Sequence, residues 1–150
     1  MHKALIAIAK VMAFLAFVCL IVDIGNLSRA KDNLKDALDL SSKSAAMQVD
    51  EDPTKIAEGT FEIDNNKAQA AFLEVMSGNT DMSKDQIKSC MIDYRAINTP
   101  CDYYNAGDKK TYKLKYPTFI ALMRYKFRGI FLKKEIILDN NFAASQLRTK

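Results

Sequence analysis

The chain has 150 residues, the usual size of one domain, of which 49% are hydrophobic and 27% are charged. Five glycines and three prolines exclude a collagen-like chain, and this composition is not that of a disordered one. Residues 1–102 carry 11 basic and 15 acidic side chains and residues 103–150 carry 11 and 3, so charges of −4 and +8 make up the net +4. Such a basic C-terminal third suits several polyanions, and charge alone does not choose among them.

The first strongly apolar segment, residues 4–22, contains a single charged side chain, Lys10. A helix of this length is about 28 Å long, close to the roughly 30 Å hydrocarbon thickness of a bilayer. Lys10 lies near the beginning of the segment, from where its ammonium group can extend to the membrane interface. We therefore expect an uncleaved signal anchor in the cytoplasmic membrane.

Two other interpretations of this segment are a cleaved secretory signal and a buried core helix. No Ala-x-Ala-like cleavage site follows it, because the chain continues Val-Asp-Ile-Gly-Asn through residues 22–26. A core helix would need the rest of the chain to surround a helix that is apolar on every side. Basic residues flank both ends, so the positive-inside rule does not set the orientation. A short segment before the anchor and a charged domain after it predict the N-terminus inside and the C-terminal domain outside.

Helical periodicity continues beyond this segment while the composition becomes polar. Small and apolar residues recur at spacings of three and four, which predicts one helix over residues 3–50 with a bend at Gly25. The resulting stripe has two candidate partners, the chain's own domain and the same helix of neighbouring subunits. Residues 1–50 thus form the predicted anchor and its amphipathic extension, with packing positions Leu27, Ala30, Leu34, Ala37, Leu38 and Ala45.

The remaining unit, residues 51–150, is predicted to be an extracytoplasmic α+β domain. Residues 50–60 have the composition of a linker, and a short helix follows, with Asn65 or Asn66 as its predicted N-cap and its end at residues 77–79. Alternation then predicts antiparallel strands over 87–97, 110–116, 119–127 and 136–138, with Gly129 as a break between the last two, a long hairpin loop over 98–107 and a frayed tail over 141–147. The predicted fold class is α+β, with a long N-terminal helix followed by a small antiparallel sheet domain that contains one short helix.

Residues that carry catalytic chemistry are scarce. His2, the one histidine, lies where no rigid frame would hold it as a base or a metal ligand. No glycine-rich phosphate loop, Cys-x-x-Cys pair or nucleophile elbow occurs in the sequence. Asp50, Glu51 and Asp52 precede a proline and are more typical of a solvated turn than of a cation site. We therefore expect no enzymatic activity, no cofactor and no bound metal.

Two cysteines of the C-terminal unit are candidates for a disulfide bond. Cys90 and Cys101 bracket the predicted hairpin loop, and an exported domain would meet an oxidising compartment. A bridge between them would stabilise the domain by about 2–3 kcal/mol. The alternative is two unpaired, small apolar side chains. Cys19 lies in the apolar segment and cannot join them.

Aromatic residues interleave with lysines and arginines in the basic C-terminal third, which superficially resembles a nucleic-acid-binding surface. Strict alternation instead favours a sheet with one face in the core and one charged face in solvent. We therefore disfavour nucleic acid as a partner and expect this face to suit an acidic one. The basic face comprises Lys113, Lys115, Arg124, Lys126 and Arg128.

The order of these features resembles type IV pilin-like proteins and, more closely, the TadE/TadG-like proteins of tight-adherence pilus systems. The likeness covers residues 4–50, where an apolar anchor passes into the step Asp23-Ile24-Gly25 and then into a helix of polar and small residues. The stretch from Tyr116 to residue 132 also looks like such proteins from Gram-positive bacteria. The resemblance implies a pilin-like fold in a single-pass, non-enzymatic component of a pilus or secretion apparatus. It also implies assembly through the N-terminal helix, with copies of itself or with other subunits.

One departure from the family pattern bears on processing. Members processed as prepilins have a glutamate at the fifth position after the cleaved bond, whereas the first acidic residue here is Asp23. We therefore expect a membrane-retained assembly component rather than a processed shaft subunit. The alternative from another class is a membrane-tethered binding module or accessory subunit of another envelope or conjugation machine. It would use the basic face to bind an acidic partner.

Overall fold

The first element, helix α1 (His2–Ala46), is one unbroken α-helix of 45 residues, about 68 Å long. The computed structural model describes residues 2–59, 61–131, 133 and 135–147. In the first half of α1, residues 2–22, every side chain is exposed except the half-buried Cys19. In the second half, one face is buried. The predicted continuous helix is confirmed as far as Ala46.

Three shorter helices and five strands follow α1 in the described residues. They are α2 (Pro53–Ala57), α3 (Asn65–Asn79), α4 (Lys84–Cys90), β1 (Met91–Ile97), β2 (Cys101–Asn105), β3 (Lys110–Leu114), β4 (Thr118–Arg128) and β5 (Glu135–Gln146). Strands β1, β4 and β5 form an antiparallel sheet in the order β1-β4-β5, and β2 and β3 form a separate two-stranded hairpin. The α+β class is confirmed, while the prediction of one short helix is wrong.

The domain has three layers. Helices α1 and α3 pack on one face of the three-stranded sheet, where the Phe72 ring lies 5.9 Å from that of Tyr94 and 5.6 Å from that of Phe119. On the opposite face, the rings of Tyr103 and Tyr112 from the β2–β3 hairpin lie 5.8 and 5.0 Å from Phe142. Residues 118–123 of β4 are all buried because this part of the strand lies between the two layers, whereas alternate residues from 124 to 128 are exposed.

The residues before β1 form a helix where the sequence pattern predicts a strand. The Ser83 hydroxyl accepts a hydrogen bond from the Gln86 N–H, and the Gln86 side chain accepts one from the Ser83 N–H. This capping box starts α4, so the strand begins at Met91 rather than at residue 87. Helix α3 is confirmed, but its N-cap is Asp64, whose carboxylate accepts the N–H groups of Asn66 and Lys67.

Three segments predicted to be irregular are regular in the structure. The predicted linker contains α2, the predicted loop contains β2, and most of the predicted tail belongs to β5. Strand β2 pairs with β3, and β5 pairs along the whole of β4. Both pairings join consecutive strands, but the sequences of β2 and of the second half of β5 lack the alternation of polar and apolar residues that would mark them as strands.

The last two strands run beside the second half of α1. Ile136, near the beginning of β5, shares a crevice with Leu20 and Leu27, and Gln146, at its end, shares one with Lys43. Strand β4 has 11 residues and is about 36 Å long, which equals the length of α1 from residue 23 to its end. The turn between β4 and β5 therefore lies at the boundary between the two halves of α1.

Candidate functional site at the helix–sheet junction

Asp23 is the residue at which the two halves of α1 meet. It is the first acidic residue of the chain and only 6% exposed. Its Oδ1 atom accepts hydrogen bonds from the N–H of Ile130 at 2.9 Å and of Phe131 at 3.2 Å. The Phe131 N–H also lies 3.2 Å from Oδ2. A helix carboxylate thus holds the β4–β5 turn, more than 100 residues further along the chain.

Gly129 makes this approach of helix and turn possible. A Cβ atom at this position would lie 2.7 Å from Asp23 Oδ2 and 3.2 Å from Asp23 Cγ, which is closer than side chains tolerate. The backbone of Gly129 is not left-handed, so the position requires space rather than special conformation. Asp23 and Gly129 therefore form a complementary pair across the junction.

The junction offsets the cost of burying a carboxylate. A charged oxygen removed from water is strongly destabilising unless it is hydrogen-bonded. Hydrogen bonds to charged groups contribute about 1.5–3 kcal/mol each, roughly twice the value of neutral ones. The Asp23 carboxylate therefore gives the N–H groups of the turn their hydrogen-bond acceptor, and these N–H groups stabilise the buried charge. These hydrogen bonds fix the turn against the helix.

An apolar crevice of about 90 Å³ adjoins Asp23 between α1 and the sheet. Leu20, Ile24 and Leu27 line it from the helix, and Phe127 and Ile136 line it from the strands. The exposed apolar surface of the first half of α1 therefore continues onto the sheet without a polar break at this point.

The predicted helix-packing residues fall into two groups. Leu34, Ala37, Leu38 and Ala45 are buried in the core of this chain, where α1 packs on α3, β4 and β5. Leu27 and Ala30 remain half-exposed. The sequence left two candidate partners for the stripe of small and apolar residues on α1. In the structure, most of this stripe packs against the chain's own domain. In this conformation those four residues are not accessible to a second subunit.

The predicted basic face is divided between two sheets. Lys113 lies on β3 and Lys115 just after it, so both belong to the exposed hairpin layer. Arg124, Lys126 and Arg128 lie on the part of β4 near the junction, where they are exposed. The interpretation as one continuous sheet face is wrong, because β3 pairs with β2 and not with β4.

Cys90 and Cys101 are free thiols, so the predicted disulfide is not formed in this structure. Cys90 ends α4 and packs against the core on the helix side of the sheet, whereas Cys101 begins the hairpin on the other side. Strand β1, about 23 Å long, also separates them, while a disulfide requires Cα atoms within roughly 7 Å. Cys19 is likewise unpaired.

In the acidic cluster of residues 50–52, Asp50 forms an ion pair with Lys55. Lys55 Nζ lies 2.8 Å from Asp50 Oδ2 and 2.6 Å from Glu62 Oε2. Its hydrogen bond holds the pKa of the Asp50 carboxyl below the usual value, and the pKa of Lys55 is raised chiefly by the same bond. These contacts join α2 to the segment before α3. In the described parts of the chain, no cluster of potential metal ligands occurs.

Among the described residues, α1 is the one helix long and apolar enough to cross a membrane, and its most apolar stretch has no buried residue. Comparison of the chain with protein-family models, with curated proteins and with solved structures found no match. The functional proposal therefore rests on the residues and on their geometry.

Sequence reasoning identified Asp23 and Gly129 only as local features, the first as part of a family-like step and the second as a break between strands. Neither carries a local signal for a contact over this distance. One pattern would have suggested the contact between them. It combines an acidic residue directly after an apolar segment with a glycine in a turn that contains apolar residues.

The junction predicts opposite effects for two Gly-to-Ala substitutions. Gly129→Ala displaces the Asp23 carboxylate and should lower the free energy of unfolding by about 1.5–3 kcal/mol, the value of one charged hydrogen bond. Gly78→Ala, in α3 with nothing within 4 Å of the new Cβ, should raise it by about 0.5–1 kcal/mol. Denaturant unfolding of the full chain in detergent micelles measures both.

A double-substituted chain provides the control. With Asp23→Ala already present, the obstructing carboxylate is gone, and Gly129→Ala should cause little further loss of stability. Equal losses in the two backgrounds would contradict the proposed contact.

Proposed function

We propose that this protein is a non-enzymatic, single-pass membrane protein that serves as a pilin-like, TadE/TadG-like component of a pilus or secretion apparatus. The observation that carries the proposal is the change of environment along α1 at Asp23. Before it, the helix is apolar and exposed on all sides, and after it one face of the helix is buried in a folded domain. A helix that protrudes by half its length from a small α+β domain is the layout that the sequence resemblance implies.

The exposed half of α1 needs an apolar environment. It presents large side chains in every direction, including Leu5, Ile8, Phe14 and Phe17, each at least 60% exposed. Exposure to water costs roughly 25 cal/mol per Å² of apolar surface, so a helix of this kind is stable only in lipid or against other proteins. The length of the segment matches the hydrocarbon core of a bilayer.

Assembly through the helix would use the membrane half of α1, because the core of this chain occupies most of the other half. Ala9, Ala13 and Ala16 follow at spacings of four and three and so lie on one face of the helix. Small residues let transmembrane helices approach closely, which is the main source of their association in lipid. Copies of this chain or other subunits of the apparatus would pack side by side along this face.

The alternative function, a membrane-tethered binding module, has one supporting observation. Lys126 and Arg128 lie on an exposed part of the sheet that the hairpin layer leaves uncovered. Such a surface attracts anionic ligands of many kinds. In this alternative the helix would serve only as a tether, and its packing with other helices would be without effect on function.

Two matched substitutions in the membrane half test the assembly role. Ala13→Leu adds bulk to the proposed packing face and should reduce the crosslinked oligomers recovered from membranes. Ala7→Leu adds the same bulk on the opposite face of the helix and should leave them unchanged. Equal behaviour of the two variants would favour the tethered module over the assembly component.

Protease treatment of intact, wall-stripped cells tests the proposed topology. With the N-terminus inside and the domain outside, a tag after residue 150 should be removed while a cytoplasmic control protein stays intact. Protection of the tag would place the domain in the cytoplasm. That result would contradict a role of this domain in a surface structure.

A further inference from the structure

We infer that the β4–β5 turn is a second membrane contact, in which Ile130 and Phe131 enter the interface of the bilayer that α1 spans. Around them, Lys126, Arg128 and Lys133 contact the anionic lipid phosphates. The inference rests on the proposed membrane anchoring of α1 but not on the pilus role. It holds for either orientation of the chain, because the turn faces whichever leaflet borders the domain.

The depth of the turn follows from its contact with Asp23. The apolar segment of α1 ends at residue 22, and its length equals that of the hydrocarbon core, so Asp23 lies at the interface. The N–H groups of Ile130 and Phe131 lie 2.9–3.2 Å from the Asp23 carboxylate oxygens. The turn is therefore held at the level of the lipid headgroups, directly beside the helix.

The side chains at this level are apolar and exposed. Ile130 is 63% exposed and Phe131 is 53% exposed, and Ile136 and Ile137 at the beginning of β5 are exposed as well. Of these, Ile136 also lines the apolar crevice beside Leu20, which joins the patch to the lipid-facing surface of α1. An exposed apolar patch continuous with a transmembrane surface is covered by the same lipid.

Two backbone N–H groups of the turn have hydrogen-bond acceptors within the protein, as a medium poor in water requires. A peptide group near the hydrocarbon region must find its hydrogen-bond partner within the protein, because lipid offers none. The Asp23 carboxylate accepts the two successive N–H groups that Ile130 and Phe131 would otherwise expose. The buried Asp23 carboxylate thus keeps both N–H groups hydrogen-bonded at the level of the membrane interface.

The charges around the tip match a lipid surface. Lys126, Arg128 and Lys133 are exposed within a few residues of the apolar pair, and the sequence of residues 124–139 carries five basic residues against two acidic ones, Glu135 and Asp139. Apolar side chains flanked by cations are the combination that binds anionic membrane interfaces. The acidic residues of the chain instead predominate in residues 1–102.

Two contacts with one membrane would limit the movement of the domain. A single helix allows the attached domain to rotate and tilt, whereas a second contact at its base fixes one face toward the lipid. The hairpin of β2 and β3 and the distal end of the sheet would then point away from the membrane. This orientation leaves those surfaces accessible to other subunits.

Tryptophan fluorescence tests the inference directly, because the chain contains no tryptophan. Three single-tryptophan variants of the full chain are reconstituted into vesicles of phosphatidylcholine and phosphatidylglycerol with brominated acyl chains, which quench nearby indole rings. Phe131→Trp reports the turn and Leu15→Trp the apolar segment. Tyr116→Trp reports the distal end, since Tyr116 is 56% exposed and precedes the far end of β4.

We expect strong quenching of Leu15→Trp, clear quenching of Phe131→Trp, and quenching of Tyr116→Trp several-fold weaker than that of Phe131→Trp. If Leu15→Trp is quenched while Phe131→Trp is quenched no more than Tyr116→Trp, the membrane anchor is supported and the second contact is overturned. If Leu15→Trp is not quenched, both the membrane anchor and the second contact are overturned. Quenching of all three to the same degree would also overturn the inference, because it would show a domain lying flat on the lipid.

Ile130→Trp provides an independent probe should Phe131→Trp disturb the fold. Ile130 is the more exposed of the two residues, so most of the larger ring can extend outward from the turn. It should show the same clear quenching, and Lys126→Gln with Arg128→Gln in that background should weaken it. Quenching of Ile130→Trp no stronger than that of Tyr116→Trp would overturn the inference in the same way.

Discussion

The Asp23 carboxylate, bonded to the N–H groups of Ile130 and Phe131, is the contact on which the arrangement of this protein depends. It lies where an apolar helix becomes amphipathic and joins that point to the turn at the base of the sheet. A charged group in such a place is stable only if it is fully hydrogen-bonded. The position of the domain along the helix is therefore set by one buried charge and by the glycine that makes room for it.

The other elements follow from this contact. With the base of the sheet held at Asp23, β4 and β5 extend beside α1 for about 36 Å, which is the remaining length of the helix. Core residues such as Leu38, Phe72 and Met123 fill the space between helices and sheet. The β2–β3 hairpin covers the distal part of the other face. The proximal part, with Lys126 and Arg128, stays open beside the proposed membrane surface.

The sequence predicted those features that depend on neighbouring residues. The length of α1 follows from hydropathy and helical spacing, and β3 and β4 follow from alternation. Strands without an alternating pattern were missed: β2, which pairs with β3 across a short turn, and the second half of β5, which pairs with β4. Contacts between residues distant in sequence were missed too, because local pattern could not predict the Asp23 junction or decide that Leu34 and Ala37 pack on the chain's own domain. For Cys90 and Cys101, spacing in sequence left a bridge and two unpaired thiols open; the structure has the unpaired thiols, with strand β1 between them.

Hydrogen exchange of the full chain in lipid nanodiscs tests the central claim most directly, because it reports the two amides that Asp23 is said to bind. The account predicts slow exchange at Ile130 and Phe131, although both are exposed turn residues, and much faster exchange at the same amides in Asp23→Ala. The helical amides of α3 should be unaffected by the substitution and serve as the internal reference. Rapid exchange at Ile130 and Phe131 in the unaltered chain would contradict the junction, and with it the placement of the turn at the membrane.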